Sequence, residues 1–151
     1  LELPGPTALV LSRQDLPVLD AGVVDVAGAV VAPGGAGEVA AIVATGSEVE
    51  VALAARDRLA ADGVAVRVVS LPCWELFRDR PRAEREAVLP PGLPAVAVEA
   101  AAELGWTEFA QAFVGMRTFG ASAPAPALYE HFGITAAAVA DAVRDLLAGS
   151  S

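Results

Sequence analysis

The sequence predicts an α/β fold: three layers, α/β/α, around a mixed, mostly parallel sheet of about five strands. Three observations carry this expectation. First, Val39 to Ala44 is an unbroken apolar run that stops at Thr45-Gly46-Ser47-Glu48, where a helical pattern begins at once. Second, a β-branched run follows the helix after a single glycine turn, which is the order of a right-handed βαβ unit. Third, 55% of the residues are hydrophobic but only 5% are aromatic, so the core is built of Ala, Val and Leu, whose small size lets helices approach a sheet closely.

Taken in order, Thr7 to Leu11 reads as a strand, followed by polar Ser12-Arg13-Gln14-Asp15. Ala29 to Ala32 is a second short strand, closed by Pro33-Gly34-Gly35-Ala36-Gly37, with Val39 to Ala44 expected as its hairpin partner. The helix from about Ser47 to Ala61 places Val49, Ala52, Leu53, Leu59 and Ala60 on one side, and Gly63 stops it. Arg56 falls within that apolar arc and is expected to pair or to face another domain. Val64 to Leu71 is the next strand, ended by Pro72. Trp74 to Phe77 and Arg82 to Val88 read as short helices separated by Pro81. Ala95 to Val98 is a buried strand ending at Glu99, and a short helix around Trp106 to Ala110 leads to a strand at Phe113 to Arg117. The last helix carries Val139, Ala142, Val143, Leu146 and Leu147 on one stripe, with Thr135 as N-cap and Ile134 stapled to Val139.

At 151 residues the chain fits one domain that buries roughly two-thirds of its unfolded surface. The net charge is −9 and every cation except the one histidine is an arginine, so the overall field repels nucleic acid and no nucleic-acid partner is expected. Arg78, Arg80, Arg82 and Arg85 are interleaved with Asp79, Glu84 and Glu86 and read as a solvated helix face. The single cysteine, Cys73, excludes an internal disulfide and fits a reducing, cytoplasmic compartment. No apolar run approaches the ~18 residues that span a bilayer, and no basic leader is visible, so no membrane partner is expected. The chain opens Leu1-Glu2-Leu3-Pro4 and its one methionine is Met116, so it is expected to be a piece of a longer protein.

No complete set of catalytic residues emerges from this pattern, and no cofactor or metal ligand set is expected on the chain. Gly46 and Ser47, with the amides after them, form a candidate anion site at a helix N-terminus, although Glu48 already answers the helix dipole and the same residues read as a plain helix cap. Glu99 stands at the carboxyl edge of the sheet, where open α/β sheets bind ligands, but no His, Lys or metal cluster accompanies it, and it reads as a structural or interface carboxylate. Cys73 lacks a neighbouring base and reads as a buried, inert thiol. His131 lies in an amphipathic helical turn and reads as a surface residue. Arg13 is the best candidate: a guanidinium just past a strand end, flanked by Ser12 and Gln14, can grip a phosphate with two hydrogen bonds.

Four segments in order accumulate into a family pattern. They are Gly5-Pro6-Thr7-Ala8-Leu9-Val10-Leu11-Ser12-Arg13-Gln14-Asp15-Leu16-Pro17, Ala44-Thr45-Gly46-Ser47-Glu48-Val49-Glu50, Val68-Val69-Ser70-Leu71-Pro72-Cys73-Trp74-Glu75-Leu76-Phe77, and Phe119-Gly120-Ala121-Ser122-Ala123-Pro124-Ala125-Pro126 running on to Leu128-Tyr129-Glu130 and Phe132-Gly133-Ile134-Thr135. Together they resemble the C-terminal domain of transketolase over nearly the whole chain. The resemblance implies an enzyme of the pentose phosphate pathway that moves a two-carbon ketol unit between sugar phosphates with thiamine diphosphate and a divalent metal such as magnesium. It implies active sites between the first two domains of a homodimer, and a C-terminal domain that adds dimer contacts and holds no cofactor. Residues 1–20 would then be the junction with a preceding pyrimidine-binding domain, and residues 21–151 the C-terminal domain itself. Arg13 would contact the substrate phosphate, and the chain alone would be inactive. Two rival readings keep the residues but change the role: a free-standing anion-sensing or dimerisation module, and the equivalent domain of another thiamine-diphosphate enzyme.

Overall fold

A computed structural model describes residues 5–19 and 25–149. The domain boundary expected at residues 20 and 21 lies outside the described residues. The sheet has five strands, β1 (Ala29–Ala32), β2 (Ala40–Ala44), β3 (Val66–Ser70), β4 (Ala95–Glu99) and β5 (Ala112–Gly115), in the order β1-β3-β2-β4-β5. β2 pairs in parallel with both β3 and β4, β4 pairs in parallel with β5, and β1 alone runs antiparallel, along β3. The mixed, mostly parallel five-stranded sheet is the one expected.

Alternation along the strands divides the core into two layers. Ala40, Ile42, Ala44, Val66, Val68, Val96 and Val98 face α1 (Glu48–Ala61) and α5 (Ala136–Gly149), which lie side by side on one face. Ala41, Val43, Val69, Ala95 and Ala97 face the other way, toward α2 (Trp74–Arg78), α3 (Arg82–Val88) and the 3₁₀ turn Trp106–Glu108. Ala52 and Ala55 are fully buried where α1 meets the sheet, so the absence of longer side chains there sets the close approach. α4 (Ala125–Phe132) packs its Tyr129 and Phe132 against the first layer. No helix among the described residues is long and apolar enough to cross a membrane.

The α5 cap stands as expected: the Thr135 hydroxyl accepts the Ala138 amide at 3.2 Å, and Ile134 and Val139 are buried together. Five expectations need correction. β2 is not the hairpin partner of β1. Every residue of β2 is fully buried, and parallel neighbours occupy both its edges, which leaves β1 the outer edge of β3. The glycine-rich loop therefore steps past β3 instead of reversing beside β1. At Gly34 the backbone comes so close to Val66 that a Cβ would lie 2.7 Å from its carbonyl carbon. Glu38 holds the step, accepting the Gly34 amide at 2.6 Å and Arg67 Nε at 2.6 Å.

Thr7 to Leu11 joins no strand ladder; Leu9, Val10 and Leu11 are 67%, 96% and 80% exposed, and the segment lies instead across the carboxyl ends of the strands, where Val10 and Leu11 border a cleft. On α1 the buried stripe runs Val49, Ala52, Ala55, Leu59, and Ala60 is exposed, since the three- and four-residue spacing from Val49 passes through position 55 instead. The helix expected over Trp106 to Ala110 is a single 3₁₀ turn, and the strand expected over Phe113 to Arg117 is β5 at Ala112–Gly115. β5 starts earlier because the Gln111 side chain and backbone bracket Ala95 with hydrogen bonds of 2.8 and 3.0 Å, which sets its register on β4.

Candidate functional site

The carboxyl ends of β2, β3 and β4 open onto a cleft of about 410 Å³. Its walls come from the turn after β2 (Thr45 to Glu48), the turn after β3 (Leu71 to Glu75), Glu99 at the end of β4, and Val10, Leu11 and Ser12 from the N-terminal segment. A second hollow of about 370 Å³ adjoins it through Ser47, Glu48 and Glu99 and is closed by Gln14, Tyr129 and Phe132. The topology thus gathers several of the residues singled out from the sequence at one edge of the sheet.

Gly46 takes φ 55°, a left-handed turn that glycine adopts without strain, and Ser47 already has helical angles. The expected Ser47 cap does not form. Its hydroxyl donates to Glu48 Oε1 at 2.8 Å, and the amides of Glu48, Val49 and Glu50 turn back to the carbonyls of Thr45, Gly46 and Ser47 at 3.2, 3.4 and 3.3 Å. Those tight i to i−3 bonds satisfy the first amides that a side-chain cap would otherwise serve.

Glu48 is the feature the sequence reading missed. It is the one buried charged residue of the described set, at 5% exposure, and forms no ion pair among the described residues. Two hydroxyls replace a cation: Ser47 and Tyr129 both donate to Oε1. Burial, and the hydrogen bond to Glu48, push the Tyr129 phenol above its ordinary value, so it remains a protonated donor. A helix-start glutamate with a distant tyrosine carries no local signature, because the two are 81 positions apart.

Arg13 is exposed, and its guanidinium makes no hydrogen bond or ion pair with the described residues. Its neighbours are engaged: Ser12 lines the cleft and Gln14 Nε2 donates to the Tyr129 hydroxyl at 3.3 Å. Glu99 accepts Trp106 Nε1 at 2.5 Å, the bond of a structural carboxylate. Cys73 is half-buried at the cleft, not fully buried as expected, because the turn after β3 leaves it at the wall; its thiol donates to the Glu75 carboxylate at 3.6 Å. His131 is exposed and packs edge-on against Phe132. Arg56 is paired within the domain, to Asp57 and the Pro33 carbonyl.

The arginine cluster is only partly a solvated face. Arg82 pairs with Glu86 on the surface and Arg78 grips Glu108 with two nitrogens. Arg80, by contrast, is 16% exposed and ties α2 back to Asp25 and the Gly28 carbonyl. The described residues bring together no group of three His, Cys, Asp or Glu side chains able to hold a metal ion.

A family model described as the transketolase-like TK C-terminal domain matches residues 28–135. The transketolase of Cereibacter sphaeroides is 48% identical over 147 residues, covering 93% of this chain and 22% of that protein. The chloroplastic transketolase-1 of Arabidopsis thaliana is 42% identical over 148 residues, covering 92% of this chain and 20% of that protein. Among solved structures, a Pichia stipitis transketolase in complex with sedoheptulose 7-phosphate superposes with a TM-score of 0.84 at 32% identity, over 90% of this chain and 20% of that one. A split-gene transketolase, described as an inactive β4 tetramer, superposes with a TM-score of 0.69 at 25% identity, over 90% of this chain and 48% of that one. The chain thus spans about a fifth of the length of the full-length relatives it matches.

Proposed function

The chain belongs to the transketolase family, as its C-terminal domain, and on that premise we propose that it is the scaffold and phosphate grip of a transketolase whose carbon–carbon chemistry resides in other domains. In the intact enzyme, a cytoplasmic homodimer of the pentose phosphate pathway, thiamine diphosphate and a divalent metal such as magnesium supply the carbanion chemistry that moves a two-carbon ketol unit between sugar phosphates. No step of that chemistry runs through the residues of this chain. Their work is to pack against the preceding domain and a second subunit, and to present Arg13 to the substrate phosphate.

One observation carries the reading of Arg13. Its guanidinium is exposed and has no hydrogen bond or ion pair among the described residues, while Ser12 before it lines the cleft and Gln14 after it is hydrogen-bonded to Tyr129. A planar, always-charged fork held out from an ordered backbone suits a phosphate dianion. The exposed Leu9, Val10 and Leu11 just before it support a junction with another domain. The inactivity proposed for the chain alone is supported by the split-gene transketolase whose β4 tetramer is described as inactive.

A charge-assisted hydrogen bond contributes about 1.5–3 kcal/mol. Arg13→Ala in the whole enzyme should therefore lower kcat/KM for a phosphorylated acceptor about ten-fold or more, and leave an aldehyde acceptor without phosphate little changed. Equal values for wild type and variant with the phosphorylated acceptor would remove Arg13 from the mechanism.

A further inference from the structure

We propose that Tyr129 is a positioning residue for Arg13: held by Glu48 and Ser47, it tethers Gln14 and so fixes the direction in which the neighbouring guanidinium points. The proposal rests on the phosphate-grip reading of Arg13. Its basis is the direction of the hydrogen bonds around one buried carboxylate.

A hydroxyl has one proton to donate. Those of Ser47 and Tyr129 are both given to Glu48 Oε1, which is buried and has no cation to neutralise it among the described residues. The Tyr129 oxygen, 3.1 Å from Ser47 Oγ, therefore meets the N-terminal segment only as an acceptor. Gln14 supplies the matching donor, its Nε2 at 3.3 Å. The polarity of the chain is fixed from the inside outward: carboxylate, phenol, amide. A buried carboxylate satisfied only by hydroxyls cannot release either of them cheaply.

The tether is also the one hydrogen bond found between residues 5–19 and the rest of the described domain. Around it, Asp15 and Leu16 border a hollow formed with Val51, Ala125 and Pro126. Tyr129 stands on firm backbone. Gly133 ends α4 at φ 69°, and the Ile134 amide closes onto the Tyr129 carbonyl at 2.9 Å. With Gln14 anchored, the one residue between it and the cleft-lining Ser12 is Arg13. A guanidinium carried on a tethered segment binds phosphate without first losing the entropy of that segment.

The test is made in the whole enzyme with Tyr129→Phe and, separately, the surface variant Gln14→Ala. Each should raise KM for a phosphorylated acceptor about five-fold, with kcat and the KM of an unphosphorylated aldehyde unchanged. Hydrogen–deuterium exchange across residues 12–16 should accelerate in both. Placed in an Arg13→Ala background, Tyr129→Phe should have no further effect on KM, because the group it positions is gone. Equal losses for both acceptors, unaltered exchange, or an undiminished effect in the Arg13→Ala background would each overturn the proposal. Should Arg13→Ala discriminate between the acceptors while Tyr129→Phe does not, the positioning role alone falls. Should Arg13→Ala fail to discriminate, the phosphate grip falls and takes the role of Tyr129 with it.

Discussion

The sheet with its helices and the segment of residues 5–19 are held by different forces. In the sheet region Ile42, Val43, Val68, Val69, Val96 and Val98 are fully buried between two helical layers, and burial of such side chains stabilises by about 1.5–3 kcal/mol each. In the N-terminal segment Val10 is 96% and Leu11 80% exposed, and among the described residues one side-chain amide supplies its hydrogen bond to the domain. The same apolar residue types are used in both places. The first region satisfies its apolar surface internally. The second leaves apolar surface exposed among the described residues, which is the surface the proposed junction with another domain would cover.

The largest expected contrast comes from deleting a core aromatic. Trp106 is 1% exposed, packs edge-on against Trp74 at 4.9 Å, and holds Glu99. Trp106→Ala should destabilise the chain by about 3–5 kcal/mol, read as a fall in the urea midpoint. A midpoint within error of wild type would mean that the second layer does not support the fold.

A middle-sized effect is expected at the step between β1 and β2. Burial works most against ionisation of Glu38, yet the hydrogen bonds from Arg67 and from the Gly34 and Gly35 amides, with the Arg67 charge, hold its carboxyl below the ordinary 4.5. A lowered pKa in the folded state means stability that is present above pH 4.5 and is lost as pH falls through the lowered value. Arg67→Ala should cost about 2 kcal/mol at neutral pH and shrink the part of the acid destabilisation that wild type shows below pH 4.5. An identical acid limb in both proteins would dissociate Glu38 from it. The smallest effect is expected in the N-terminal segment, where Val10→Ala should change the urea midpoint by less than about 0.5 kcal/mol equivalent. A clear loss of stability would show that the segment is packed after all and close the gap between the two regions.

What the sequence made legible follows the same division. The turn Thr45-Gly46-Ser47, the strand–helix–strand order and the Thr135 cap are local, so neighbouring residues announce them. The placement of β1 was not legible, because its choice between β2 and β3 depends on which edges other strands have already taken. The role of Ser47 is hidden for a related reason: its hydroxyl is drawn to Glu48, whose burial depends on a tyrosine 81 positions away. At the candidate site Arg13, Gly46 and Ser47 stand out from the sequence, whereas Glu48 reads only as dipole compensation and Tyr129 only as part of a family segment. A glutamate in the first turn of a helix looks like ordinary dipole compensation until burial is known.

The rims of the sheet have a consequence for association. At one rim β1 is four residues long, and its register slips between Val30 and Ala32; at the other, β5 is also four residues long. Two short margins, one of them kinked, give an incoming strand little ladder to copy. A domain so rich in valine and alanine would otherwise be at risk of fibrillar growth. The brevity of its outermost strands works against such growth.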